Sequence, residues 1–195
     1  MGKIYCMLGK SSTGKDTIYK KLMEDKELKL HSIVLYTTRP IREGEVDGET
    51  YHFVTEDEFL SLKEQNLIIE DREYQTIHGL WRYFTVYDGN LDYKNQDYLM
   101  IGVLKSYQSI RDYFGRDVVI PIYIEVEDGV RLQRALDRER QPENGKYAEM
   151  CRRFLADTND FSEEKIQQAN ITKRFINQDL AGCVEEIKQY MLQTR

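Results

Sequence analysis

The chain has 195 residues, 41% of them hydrophobic, and a formal net charge of −6. Its length supports one sizeable core with room for a small inserted lobe. The acidic balance argues against non-specific nucleic-acid binding, and no apolar run is long enough to cross a bilayer.

Ile4-Tyr5-Cys6-Met7-Leu8 is an apolar run that reads as a buried strand. Gly9-Lys10-Ser11-Ser12-Thr13-Gly14-Lys15-Asp16-Thr17 follows, and then Ile18, Leu22 and Met23 fall at the spacing of a helix's inner stripe. Strand, glycine-bracketed loop, lysine and helix is the build of a phosphate-cradling P-loop. Backbone N–H groups and the helix N-terminus face the anion, and Lys15 reaches the outer phosphates. An ordinary Gly-Ser turn is the competing account, and the position at the first strand–helix junction disfavours it. Asp16 stands where a Ser or Thr hydroxyl usually serves magnesium, and Thr17 comes one place late. The N-terminus runs straight into this first strand, so no signal peptide is expected.

Ser32-Ile33-Val34-Leu35-Tyr36 predicts a second strand, ended by Pro40 and Gly44. Arg39 and Arg42, three apart in that loop, are placed to fork a phosphate. Asp47-Gly48 signals a turn, with a strand leaving through Tyr51, Phe53 and Val54. Thr55 and Glu58 form a capping-box pattern that predicts a helix through Leu62. Leu67 to Glu70 reads as a strand ending on a carboxylate. From Tyr74 to Tyr93 the chain is aromatic and polar, with His78, Trp81, Tyr83, Phe84 and Tyr87. Such residues can stack a base, though they more often fill a small sheet; His78, with no partner nearby in sequence, reads as structural.

Tyr98 to Leu104 and Val118 to Val126 predict buried strands, and Pro121 marks an edge or the start of regular pairing. Tyr107, Ile110, Tyr113 and Phe114 share a helical face between them. A helix from Asp128-Gly129 carries Arg131, Arg134 and Arg138 on one face and Leu132 and Leu136 on another. It runs into the polar loop 139–145, suited to a lid. Helices follow over Tyr147 to Phe161 and Ser162 to Ala169, then a short segment at Phe175-Ile176-Asn177 and a last amphipathic helix from near Asp179. Strands alternating with helices predict an α/β fold with a parallel sheet covered on both faces, and the turns between Thr37 and Asp92 predict an inserted β-rich lobe. Cys6, Cys151 and Cys183 are few and widely spaced, which suggests reduced thiols in a cytoplasmic protein.

Taken together these features resemble the guanylate kinase family over essentially the whole chain. The resemblance rests on the P-loop, Thr37-Thr38-Arg39 with Arg42, Gly44-Glu45, Gly48, Tyr51-x-Phe53-Val54, Glu70, Arg134 with Arg138, Arg153, and Asn177-x-Asp179-Leu180. It implies one domain: a P-loop core (1–36, 94–138 and 148–195), a β-rich acceptor-binding lobe (37–93) and an arginine lid (139–147). Gly9, Ser11, Ser12, Thr13, Gly14, Lys15, Asp16, Thr17 and Asn177 would bind ATP. Arg39, Arg42, Tyr51, Glu70, Tyr83 and Thr85 would bind the acceptor, with Glu70 accepting from guanine's ring N–H and amino group. Lys15, Arg39, Arg134, Arg138 and Arg153 would stabilise the transferred phosphoryl group. Magnesium would arrive with ATP and meet Asp16 or Thr17. The implied partners are ATP and a nucleoside monophosphate, GMP foremost, with neither nucleic acid nor membrane; protein partners are left open.

The chain departs from the family pattern in four places. Leu35 or Tyr36 stands where a serine precedes Thr-Thr-Arg, and Asp16 follows the P-loop lysine. Met100-Ile101-Gly102 replaces an Asp-x-Asp, and a short insertion precedes Tyr83. These departures leave two alternatives: a kinase of this fold with another phosphorylated acceptor, or an inactive nucleotide sensor or protein-binding module.

Overall fold

The first apolar run forms β1 (Ile4–Leu8), all five residues buried, and everything else in the core is arranged about it. The structure, a computed structural model, describes residues 1–76, 79–87, 89, 91–141 and 145–195. His78 and residues 142–144 of the expected lid lie outside the described residues. In chain order come α1 (Lys15–Met23), β2 (His31–Ser32), β3 (Tyr36–Thr37), β4 (His52–Phe53), α2 (Glu56–Glu64), β5 (Ile68–Thr76), β6 (Gly79–Val86), β7 (Tyr98–Ile101) and α3 (Leu104–Phe114). Then follow β8 (Val119–Glu125), α4 (Asp128–Glu139), α5 (Tyr147–Asp160), α6 (Glu163–Gln168), β9 (Arg174–Ile176) and α7 (Leu180–Thr194).

Five strands form a sheet in the order β2-β7-β1-β8-β9, every pair parallel. Alternate residues of β1 feed opposite faces. Ile4, Cys6 and Leu8 join Met100, Tyr107, Ile110 and Ile166. Tyr5 and Met7 join Ile18, Leu22, Leu99, Ile187 and Met191. α3 and α6 therefore cover one face, and α1 and α7 the other, which is why β1 reads as an unbroken apolar run. A second sheet, in the order β4-β3-β6-β5, is built on the antiparallel β5–β6 hairpin. It has an aromatic centre of its own: the Phe59 and Phe84 rings lie 4.9 Å apart. The capping box that starts α2 is present, with Glu58 N donating to Thr55 Oγ1 at 3.2 Å and Thr55 N to Glu58 Oε2 at 2.7 Å. Among the described residues no helix is long and apolar enough to cross a membrane.

Three expectations about elements change. The strand over Ser32 to Tyr36 is split: His31 and Ser32 pair with β7, whereas Tyr36 and Thr37 pair with β4 and β6 of the second sheet, so residues 33–35 carry the chain between sheets. The strand from Tyr98 stops at Ile101, because Ser106 Oγ accepts from Val103 N at 3.0 Å and opens α3 at Leu104. On α4 the arginine face is not uniform: Arg131 is buried, Arg134 half-buried and Arg138 exposed. Arg131 is 1% exposed and Leu132 is 39% exposed, because Arg131 is taken up by Asp128 of its own helix, the Ser11 carbonyl and Asp157 of α5. Pro121 behaves as expected for a partial edge. Ile4 N donates to Val118 O and Asn177 N to Glu125 O, so odd-numbered residues of β8 face β9. β9 begins its pairing only at Tyr123, and the missing N–H of Pro121 falls on the open side.

Candidate active site

The P-loop crosses from the end of β1 to α1, and its backbone is shaped for close approach. Gly9 has φ +152, and a Cβ there would stand 2.6 Å from the Ile124 carbonyl oxygen. Gly14 has φ +86, and its Cβ would stand 2.7 Å from Asn177 Nδ2. That amide donates to Thr13 O at 2.7 Å, so Asn177, 3% exposed, fastens the loop from the end of β9. Ser12 adopts a left-handed φ of 63. Its buried hydroxyl has no hydrogen-bond partner among the described residues, and an orphaned buried hydroxyl marks a place where a ligand oxygen fits. Lys15 donates to Lys10 O at 3.4 Å. Burial pulls its pKa below the usual lysine value, against the opposing pull of Asp16 and Asp157.

A second residue, Arg131, braces the loop. It donates to Ser11 O at 2.9 Å and to Asp128 Oδ1 at 2.8 Å. It approaches Asp157 to 3.5 Å and lies 4.8 Å from the centre of the Phe154 ring. Asp157 in turn accepts from Ser11 N at 2.7 Å, so a carboxylate of α5 rests on an amide of the anion cradle. Neither Arg131 nor Asp157 was among the residues expected at the site.

Two cavities open from the loop. One, of about 480 Å³, is lined by Lys10, Thr13, Asp128, Arg134 and Asn177, where Arg134 Nη2 donates to Asn177 O at 3.3 Å. The other, of about 210 Å³, has Gly9, Ser11 and Lys15 on one wall and Tyr51, Arg72 and Tyr83 on the other. Lys15 and the side chains of Tyr51 and Tyr83 thus line one cleft. Burial raises the pKa of Tyr51, so its hydroxyl keeps its proton and can donate.

Behind that cleft, Arg39 is 3% exposed. Its Nε donates to Tyr83 Oη at 3.1 Å, and its two terminal nitrogens grip Glu45 at 3.0 and 2.7 Å. Arg39 holds Glu45 below the usual carboxylate pKa. Arg42 lies 5.8 Å from the centre of the Trp81 ring and is exposed; its backbone N–H donates to the same carboxylate at 2.8 Å. The two arginines therefore do not present a ready fork in this state: one is clamped by Glu45 and the other sits outside the cleft. Glu70, 6% exposed, accepts from Thr85 Oγ1 at 2.8 Å and from Arg72 Nε at 3.1 Å. Tyr83 and Thr85 fall on one face of β6 because strand side chains alternate.

The arginines expected at the lid divide. Arg134 lines the larger cavity, and Arg138 is near enough for its charge to lower the Lys15 pKa. Arg153 donates to Glu149 at 2.9 Å and lines neither cavity. Arg152 and then Arg153 pull the Glu149 pKa down to about 2. Asp16 and Thr17 are exposed in the first turn of α1. Among the described residues no three carboxylate, imidazole or thiol groups gather into a metal cage. Where an Asp-x-Asp was the family expectation, Met100 is fully buried in the core and Gly102 lines the cleft. A Cβ on Gly102 would stand 2.9 Å from Ser106 Oγ and 3.0 Å from Cys6 Sγ. Leu35 lines the cleft near the expected hydroxyl, while Tyr36 packs on Phe84.

With this geometry in place, comparison with known proteins gives one consistent family. The guanylate kinase profile matches residues 1–80. A guanylate kinase of Porphyromonas gingivalis is 28% identical over 200 residues, covering 99% of this chain and 98% of that protein. The chloroplastic/mitochondrial guanylate kinase 2 of rice is 32% identical over 133 residues, 68% of this chain. The match spans 38% of the rice protein's length. The crystal structure of guanylate kinase from Anaplasma phagocytophilum shares the fold, with a TM-score of 0.67 at 20% identity, over 98% of this chain and 85% of that one.

Proposed function

We propose, from the premise that this chain belongs to the guanylate kinase family, that it transfers the γ-phosphoryl group of ATP to GMP, giving ADP and GDP. The observation that carries the reading is the single cleft in which Lys15 and Ser11 face Tyr51 and Tyr83. The triphosphate lies in the cradle of residues 9–15, where Ser12 Oγ has no partner among the described residues, and the adenosine extends toward Arg134 and Asn177. The lobe 37–93 takes the acceptor. Tyr51, Tyr83, Arg39 and Arg42 hold its phosphate, with Arg39 exchanging a Glu45 oxygen for a phosphate oxygen, and Glu70 and Thr85 meet the base.

An oxygen of the GMP phosphate attacks the γ-phosphorus in line, the bond to the β–γ bridging oxygen breaks, and ADP departs with that oxygen. Lys15, Arg134 and Arg138 balance the charge spread over the transferred group, and Arg153 joins them on release from Glu149. Asp16 and Thr17 offer the oxygen ligands that magnesium prefers, and the ion bound with ATP supplies further charge neutralisation there. Closure of the lid 139–147 excludes water, which suppresses simple ATP hydrolysis. The three free thiols suit a cytoplasmic setting.

The test is ADP release from ATP with GMP, dGMP, AMP and pyrimidine monophosphates offered in turn. GMP-dependent turnover is expected. ADP formation only with a base lacking guanine's donor edge would reassign the acceptor, and no acceptor-dependent turnover at all would end the reading.

A further inference from the structure

Glu70 is the acceptor-side carboxylate, yet it does not stand alone. Arg72, two residues on along β5, donates Nε to Glu70 Oε2 at 3.1 Å and Nη2 to Oε1 at 3.5 Å. Oε1 also accepts from Thr85 at 2.8 Å. The Arg72 side chain is 11% exposed and that of Glu70 is 2% exposed; of the two, it is Arg72 that lines the cleft, beside Tyr51, Tyr83 and Gly102. Among the described residues its second terminal nitrogen, Nη1, donates to nothing.

Guanine's Watson–Crick edge presents two donors, the amino group and N1–H, and then one acceptor, O6. A carboxylate can satisfy only the donors, because an ionised carboxylate is acceptor-only. A site that binds guanine without a donor for O6 leaves that oxygen desolvated and unpaired. The one hydroxyl hydrogen of Thr85 is given to Glu70 Oε1, the Tyr51 and Tyr83 hydroxyls belong to the phosphate in this reading, and Leu35, Ile101 and Val103, also on the cleft lining, carry no side-chain donor. Resting on the reading of Glu70 as the guanine carboxylate, we propose that Arg72 is a specificity-determining residue that donates to O6 of the acceptor base. Glu70 and Arg72 then form an acceptor–acceptor–donor array complementary to guanine. When the base enters, its amino group and N1–H replace the long 3.5 Å contact on Glu70, and the freed Nη group turns to O6 while Nε keeps its bond. An adenine edge, donor then acceptor, mismatches this array at both groups.

The test compares kcat/KM for three acceptors in the parent, Arg72→Met and Arg72→Lys. These are GMP, its 6-thio analogue, whose sulfur is a weak acceptor, and IMP, which keeps O6 but lacks the 2-amino group. The parent is expected to prefer GMP over both analogues. In Arg72→Met the preference over the 6-thio compound falls by about tenfold or more, the size of one charged hydrogen bond. The preference over IMP, set by Glu70, persists. Arg72→Lys keeps the positive charge beside Glu70 but loses the fork, so its discrimination falls between the two. It decides the matter if thermal melting shows that the methionine variant does not fold. Unchanged discrimination in the variants, or loss of both preferences together, overturns the proposal and leaves Arg72 as a neutraliser of Glu70. A parent enzyme that makes no GDP from GMP instead overturns the function on which this inference rests.

Discussion

Lys15 sits at the head of α1, where its ammonium group donates only to the Lys10 carbonyl among the described residues. Burial opposes its charge and lowers its pKa, so in the empty protein the charged form costs stability. Because the folded pKa lies below the ordinary 10.5, that cost is fully present below the folded pKa and disappears as pH rises through it toward 10.5. Lys15→Met is therefore expected to melt at or above the parent at pH 7, with the gap narrowing toward pH 10.5, while kcat falls by about a thousandfold or more. Thermal melts across that pH range and steady-state turnover check the two halves. A methionine variant that melts well below the parent at pH 7, or turns over as fast, would contradict the account. The lysine was legible in the sequence because its glycine brackets are local. Arg131 and Asp157 were not, since a charged side chain on an amphipathic helix reads as solvated. Their partners in the P-loop stand 120 and 146 positions away, a distance that no periodicity reveals.

Among the elements, the end of β7 explains why a lost acidic pair cannot simply be restored. Met100 points into the core, and Gly102 closes on Ser106 Oγ and Cys6 Sγ. Gly102→Asp must shift the first turn of α3 or the centre of β1. The expected cost is about 1–3 kcal/mol of folding stability, read from denaturant unfolding, with no gain in turnover. An unperturbed, faster Gly102→Asp protein would show that the strand end yields easily and that the glycine is no packing constraint. Elements whose signals are local emerged well from the sequence: β1 from its apolar run, α2 from its capping box, α7 from its stripe with Asp179 as cap, where Asp179 accepts from Gly182 N at 2.7 Å. The run over Ser32 to Tyr36 misled because its continuous apolar character comes from serving two sheets in succession. α5 shows the converse: it forms as expected, yet none of its residues is buried. Its position depends on polar contacts, the Ser11 N–H hydrogen bond to Asp157 and the Asp157–Arg131 ion pair, not on an apolar seam.

In the whole molecule, alternation of strands and helices announced the parallel sheet, and the density of turn signals announced the β-rich insertion. How far apart the two would stand was not readable, because that depends on packing between them. Phe59 and Phe84 are buried but belong to neither of the two apolar clusters flanking the parallel sheet. The second sheet meets the main core through partly buried residues, Leu35 and Ile69 among them. A unit with its own small centre and a thin apolar seam is free to move as a body. The resting ion pairs also suit such motion. Arg39 is held by Glu45 and Arg153 by Glu149, both within their own segments, and a doubly charged phosphate offers an arginine a stronger partner than a single carboxylate does. Two anionic substrates in one cleft should then draw the sheets together, because each pulls cations from opposite walls. Small-angle scattering with a non-hydrolysable ATP analogue and GMP together is expected to give a smaller radius of gyration than the empty protein, which a chain of this length puts near ~16 Å, with either ligand alone giving less than the full contraction. If both ligands bind, as calorimetry would establish, and the radius does not change, the seam is rigid and the arginines must reach the phosphates by side-chain rotation alone.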